Sequence, residues 1–317
     1  MYAVANLMDH LTVSTDKAQT QPGALMPMTG VVSIIGALIF GFLGGFNAAI
    51  PVWAFVGLFT NGILFIAYLY IMLKVLSNKE TETSNAIVWF NLSPLFGLIL
   101  GGSFLGQFFS PLGIFGILLL AGGGIFIDYT SDGKFLRNKN TWLMILTALL
   151  ATINDVAIVY FAESFDVAGN WFQSSIPVLY VDYLGKTFFA LLFLLGSENR
   201  RGFLLGLTTS IKGLEKFTFF GTVFFLTFAN DLLTIFSATL VNWSVLNINV
   251  ALAQSMATFQ PMFVFLIAFF LTRWKKLPEH FRQSLSEEKG DKQDLKLKIL
   301  GIILMIFGAM IFCFLGE

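Results

Sequence analysis

Two stretches decide the fold: LGIFGILLLAGGGIF (112–126) and LKILGIILMIFGAMI (297–311). Aligned without gaps, they match at Leu112/Leu297, Ile114/Ile299, Gly116/Gly301, Ile117/Ile302, Leu119/Leu304 and Gly123/Gly308. Apart from Lys298, both are apolar throughout with glycines spaced along them, which is the look of a helix that crosses lipid and packs closely on another. The echo extends upstream. FTNGIL (59–64) shares its frame with FANDLL (228–233), so Asn61 aligns with Asn230 and Gly62 with Asp231. Between these pairs, NAIVWFNLSPLFGLIL (85–100) and NVALAQSMATFQPMFVFLI (249–267) align Pro94 with Pro261. Three matches in one order mark an internal repeat.

The chain has 317 residues, of which 56% are hydrophobic and 12% charged, with 37 phenylalanines. A water-soluble domain of this size cannot hide that much apolar surface, so its solvent is lipid. A bilayer core asks for roughly 20 apolar residues per helix. Such spans fall at 24–43, 52–76, 85–106, 110–127, 141–162, 176–196, 217–241, 247–272 and 296–315. Barrel strands would be shorter and would alternate. The opening MYAVANLMDHL has a shorter apolar run. It reads as the second half of a first helix, shortened or truncated, with a re-entrant or interfacial segment as the alternative.

The expected fold is therefore an all-α polytopic membrane protein with ten helices in two five-helix repeats, residues 1–128 and 141–316. An odd number of spans per unit makes the second copy enter the membrane from the opposite side. The two units would then be inverted about an axis in the membrane plane, an architecture of transporters with the substrate site at mid-depth. Helices one, three, four, six, eight and nine would surround that site.

Lys and Arg gather in the odd-numbered connections, from Lys17 and Lys79 to Lys134, Arg137, Arg200, Arg201 and the 273–298 segment. The even connections GFLGGFNAAIP (41–51), QFFSP (107–111) and VNWSVLN (241–247) hold none. The positive-inside rule puts the odd connections in the cytoplasm. Net charge is zero, so no nucleic-acid partner is indicated. The single cysteine, Cys313, excludes an intrachain disulfide and a cysteine zinc site. His10 and His280 are far apart, and neither a phosphate-loop lysine motif nor a hydrolase or metalloprotease motif occurs. No cofactor and no metal are expected.

Ionisable residues inside spans are costly, by about 2.5–3.5 kcal/mol each on insertion scales, and face cavities or partners. The four candidates within spans are Asp155, Asp182, Lys186 and Asp231. Asp182 and Lys186 are four residues apart on one helix face and read as a structural ion pair. Asp231 and Asp155 are candidates for substrate binding or ion coupling, with Asn230, Asn61 and Asn154 as cavity lining or interhelical hydrogen-bond partners. Asn6 stands in the first helix where Asn154 stands in the sixth. Asn91 and Gln260 flank the two prolines, where freed carbonyls seek partners. Trp89 and Tyr68 are the deeper aromatics and complete the candidate set.

The Pro-containing helix followed by a Gly-rich one in each half, NLSPLFGLILGGSFLGQFFSPLGIFGILLLAGGG and FQPMFVFLIAFF…LKILGIILMIFGAMI, resembles the EamA-type branch of the drug/metabolite transporter superfamily. The resemblance spans nearly the whole chain and implies ten helices in two inverted units that move a small solute by alternating access. Gln107 in LGQ (105–107) stands where such proteins carry an acid, and LTRW (271–274) replaces it in the second half. A small-molecule substrate, membrane lipid as surroundings and the plasma membrane as location follow as expectations. A membrane enzyme acting on a lipid-linked substrate, or a scaffold or receptor, is the alternative.

Overall fold

The computed structural model describes Asp9, residues 21–77, 88–128, 139–163, 171–208 and 222–257, Phe263, Ile267 and residues 292–315. These residues are helical and contain no strand. In chain order the helices are α1 (Pro22–Phe42), α2 (Val52–Leu76), α3 (Ser93–Leu105), α4 (Pro111–Asp128) and α5 (Lys139–Ala162). They are followed by α6 (Trp171–Leu191), α7 (Ser197–Thr208), α8 (Thr222–Asn247), α9 (Val250–Ala257) and α10 (Lys292–Leu315). Four helical stretches, Pro22–Phe42, Val52–Leu76, Asn140–Ala162 and Ser175–Leu195, are long and apolar enough to cross a membrane.

The distribution of polarity is inverted relative to a water-soluble protein. Large apolar side chains such as Phe42, Phe104, Phe108, Phe307 and Phe314 point outward, whereas Asn61, Asn154, Asp182, Lys186, Asn230, Asp231 and Gln254 are buried. In water that arrangement would forfeit the hydrophobic effect and charge solvation together. In lipid both placements are favourable, and the fold is that of a helical membrane protein.

Local chemistry sets the breaks between helices. Pro22 opens α1, where its missing N–H has no acceptor to lose. Gly44 turns the chain after α1 with φ +138, a region closed to side-chain-bearing residues. Gly106, with φ +64, ends α3 in a left-handed cap. The Ser110 hydroxyl then accepts from the Gly113 N–H at 3.1 Å and starts α4.

Three expected boundaries need correction. Pro94 was placed mid-span, but it lies in the first turn of α3, and Val88–Leu92 wind as a 3-10 turn before it. The ring excludes an α-helical residue four places earlier, so the α-helix can only begin there. The stretch 241–247, expected as a connection, is the last two turns of α8. Its apolar Val241, Val245 and Leu246 pack inward and keep the helix running. The span expected at 176–196 starts earlier, at Trp171, and ends at Leu191, with a 3-10 turn Leu192–Leu195 and then α7. α7 is amphipathic and lies against the start of α1, where Asn199 covers Gly23.

Glycine contacts fix the close helix crossings. α4 and α10 run antiparallel: a methyl on Gly116 would come 2.8 Å from the Gly308 carbonyl, and one on Gly123 would come 2.6 Å from that of Gly301. At the α2–α6 crossing, Gly62 faces the Gly185 backbone and Gly185 faces the Phe59 backbone. No side chain longer than hydrogen fits at these points without separating the helices. α1 runs antiparallel to α6, with Gly30 against Ala190 and Gly36 against the Tyr183 ring.

Candidate functional site

α2, α3, α5, α6, α8 and α9 converge on a cavity of about 100 Å³ in the middle of the bundle, and Asp9 joins its wall. The amphipathicity that aims these side chains inward is unusual, because the outward face is the more apolar one. Asp155 on α5 is the carboxylate most firmly presented to the cavity. Its Oδ1 accepts from Asn154 Nδ2 at 3.2 Å and its Oδ2 accepts from Gln254 Nε2 at 3.1 Å. Two amides thus fix the carboxylate without neutralising it. Tyr68, Phe65 and Phe90 supply the aromatic part of the wall.

Behind Asp155, Asn61 on α2 donates to the Asn154 carbonyl at 3.2 Å and to its side-chain oxygen at 3.0 Å. α2, α5 and α9 are therefore joined by one chain of amides that ends at the cavity. Thr152, one turn before, donates to the Ser93 carbonyl at 3.4 Å beside Pro94. It supplies a partner to backbone near the proline, as lipid cannot.

Lys186 is 1% exposed, and its Nζ lies 2.5 Å from Asp182 Oδ2, as the spacing predicts. The ammonium also sits 4.2 Å from the centre of the Phe65 ring and 4.9 Å from that of Tyr183. Such cation–π contacts partly replace the lost hydration. Asn242 donates to the same Asp182 oxygen at 3.5 Å. Tyr183 in turn donates to the Ile235 carbonyl at 3.0 Å, tying α6 to α8.

The second asparagine of the repeat has a different partner. Asn230 on α8 donates to Asp9 Oδ1 at 2.6 Å. Asn6, expected opposite Asn154, lies outside the described residues, and the acidic Asp9 takes the matching place. Asp231 points the other way, toward α1, where Thr29 donates to its Oδ1 at 3.4 Å. It lines a much smaller space of about 10 Å³ with Thr29, Ser33, Thr234 and Lys186.

Of the other candidates, Tyr68 and Asn154 line the central cavity, whereas Asn61 and Asn230 support it from behind. Trp89 is buried in the apolar cluster with Met305 and Leu120, and Asn91 packs on Gly124 and contacts Met305. Both serve helix packing, because the 3-10 turn before Pro94 rotates them toward α4 and α10. Gln260 lies outside the described residues. Gln254, Asn242 and Asp9 are cavity residues absent from the candidate set. Gln254 is visible in sequence as a polar residue within an apolar run, but Asn242 was masked by reading 241–247 as a loop.

At the end of the bundle formed by the even connections, a larger opening of about 570 Å³ is bordered by Gln107, Glu163, Asn247 and Asn249. Gln107 Oε1 accepts from the Val250 N–H at 3.1 Å and caps α9. A carboxylate could accept the same bond, so the cap explains an acceptor at 107 and not the amide in particular.

No family profile and no curated protein matches this chain. Solved structures do share its fold. One, described only as "Crystal structure of protein", superposes with a TM-score of 0.55 over 99% of this chain and 96% of its own, at 15% identity. That likeness covers the full length of both chains and concerns the fold alone.

Proposed function

We propose that this chain is a multi-pass transporter of the plasma membrane, of the EamA type within the drug/metabolite transporter superfamily, moving a small solute by alternating access. The observation that carries the reading is the mid-bundle cavity where Asp155, held by two amides, faces Tyr68, Phe65 and Phe90. An unneutralised carboxylate at that depth is costly unless it meets a ligand or water. A carboxylate framed by aromatic rings suits a small solute bearing a positive group.

The inverted five-helix units gain support from contacts that obey a two-fold rule. Gly116 meets Gly308 while Gly123 meets Gly301, and the repeat equates Gly116 with Gly301 and Gly123 with Gly308. Exchange of the two units returns the same pair of contacts, as an isologous interface requires. The asparagine pair behaves likewise: Asn61 reaches the sixth helix at Asn154, and Asn230 reaches the first at Asp9. The opening at 107, 163 and 247–249 lies at the end of the bundle opposite the basic connections, where an access route from that face would start.

The test is uptake by proteoliposomes of a panel of amino acids, nucleosides, sugars and small organic cations. Saturable uptake of one class, lost in Asp155→Asn, is expected. Absence of uptake of every class by protein that remains folded would sink the proposal.

A further inference from the structure

We propose that the small space around Asp231 is a second site, separate from the central cavity, that binds one small monovalent cation, sodium or a proton. Asp231 is 7% exposed, and among the described residues its Oδ2 has no hydrogen-bond partner and no ion pair. Its Oδ1 is the acceptor for Thr29. A carboxylate oxygen that is both buried and unpartnered calls for a cation or a proton. The space it faces is about 10 Å³, room for an occupant no larger than a water molecule. Its polar donors are a carboxylate and the hydroxyls of Thr29, Ser33 and Thr234, a hard, oxygen-only set. That composition disfavours soft metals and organic ions alike.

Charge balance points the same way. Among the described residues, the titratable groups near Asp231 are Asp9 beside Asn230, and Tyr183 and Lys186 on α6, with Asp182 behind Lys186. α1 contributes only hydroxyls there. Lys186 is the one ammonium, and Asp182 already holds it. With Asp155 included, four buried or half-buried carboxylates lie near one ammonium among the described residues, so they cannot all stay ionised without further cations or protons. A substrate cation in the central cavity offsets part of that negative charge, and a cation at Asp231 offsets another part.

The two sites communicate through one side chain. Lys186 forms part of the wall of both spaces. A cation at Asp231 repels that ammonium, and a ligand at Asp155 meets the same ammonium from the other side. Coupling of the two occupancies rests on the transport reading; cation binding itself does not.

The experiment is thermal unfolding of the purified full chain in detergent, with choline replaced by sodium at constant ionic strength and pH 8. A sodium occupant raises Tm of the wild type by about 2–5 °C at concentrations well above Kd. A proton occupant gives no sodium response, but Tm rises as pH is lowered from about 8 to 6 without sodium, through the same mass action. The sodium response must vanish in Asp231→Asn, and the pH response must fall to the part that Asp9 and Asp155 supply. Thr29→Val serves as a second variant should Asp231→Asn not fold, and it shifts the half-effect concentration or pH several-fold. No response to either cation, or a response that both substitutions leave unchanged, overturns the site. Failure of uptake with a retained cation response would instead reject the transport reading and leave this site standing.

Discussion

The two asparagines of the repeat stand at matching places and end in different chemistry. Around Asn61, amide follows amide through Asn154 to Asp155 and Gln254, so each Asp155 oxygen has a named donor. Around Asn230, the partner is the carboxylate of Asp9, and the neighbouring Asp231 keeps one oxygen without a donor among the described residues. Where the first unit has Gly62 for close approach to α6, the second has Asp231. The contrast teaches that one knot gives both oxygens of its carboxylate a donor, while the other leaves a carboxylate oxygen bare among the described residues. The two matching stretches keep their amides and differ in the residue beside them.

The comparison is most easily broken at the side chain that touches both regions. Lys186→Met leaves Asp182 buried and unpaired, and is expected to cost about 3–5 kcal/mol in detergent unfolding. The double variant Lys186→Met/Asp182→Leu should recover most of that loss, and a single variant as stable as wild type would mean that the ion pair holds nothing together. Next in size is the asparagine pair itself. Asn230→Leu removes a bond to a carboxylate and should cost about 1.5–3 kcal/mol, against about 1 kcal/mol for Asn61→Leu, whose partners are amide and carbonyl. Reversal of that order would show that Asp9 carries a proton in the folded state.

Two smaller effects sharpen the contrast. Gln254→Leu frees one oxygen of Asp155 and makes the first knot resemble the second. It should raise KM for the transported solute about tenfold, near the worth of one hydrogen bond to a charged group. Unchanged KM would place the solute elsewhere in the cavity. Gln107→Ala removes the cap of α9 at the far end of the same helix, and about 1 kcal/mol is the expected loss of stability. An equal effect of Gln107→Ala on KM would mean that α9 moves as a rigid rod and carries Gln254 with it.

Much of this was legible in sequence, for physical reasons. Lipid forces each backbone into a helix, so apolar length alone marks the spans at 52–76 and 141–162 to within a few residues of α2 and α5. The i,i+4 rule sufficed for Asp182 and Lys186, because their contact lies within one helix. The helices surrounding the cavity also followed from the repeat, with Lys186 of α6 as the addition. What escaped depended on rotation about helix axes. Trp89 and Asn91 turn toward α4 and α10 because a 3-10 turn has fewer residues per turn than an α-helix, and no residue pattern announces that switch. Asn242 and Gln254 meet the site only through tertiary packing of α8 and α9. α7 was missed because twelve residues with two arginines and a glutamate read as an ordinary cytoplasmic connection.

The glycine seam between α4 and α10 has a mechanical meaning. Two helices that touch through bare backbone, Gly116 on Gly308 and Gly123 on Gly301, have few interlocking rotamers at those contacts. Knobs lodged in holes resist sliding as the teeth of a gear do. A smooth seam behaves as a bearing, firm under pressure and low in friction along its surface. If the proposed rocking of two units occurs, this seam between α4 and α10 is the place where it meets least resistance.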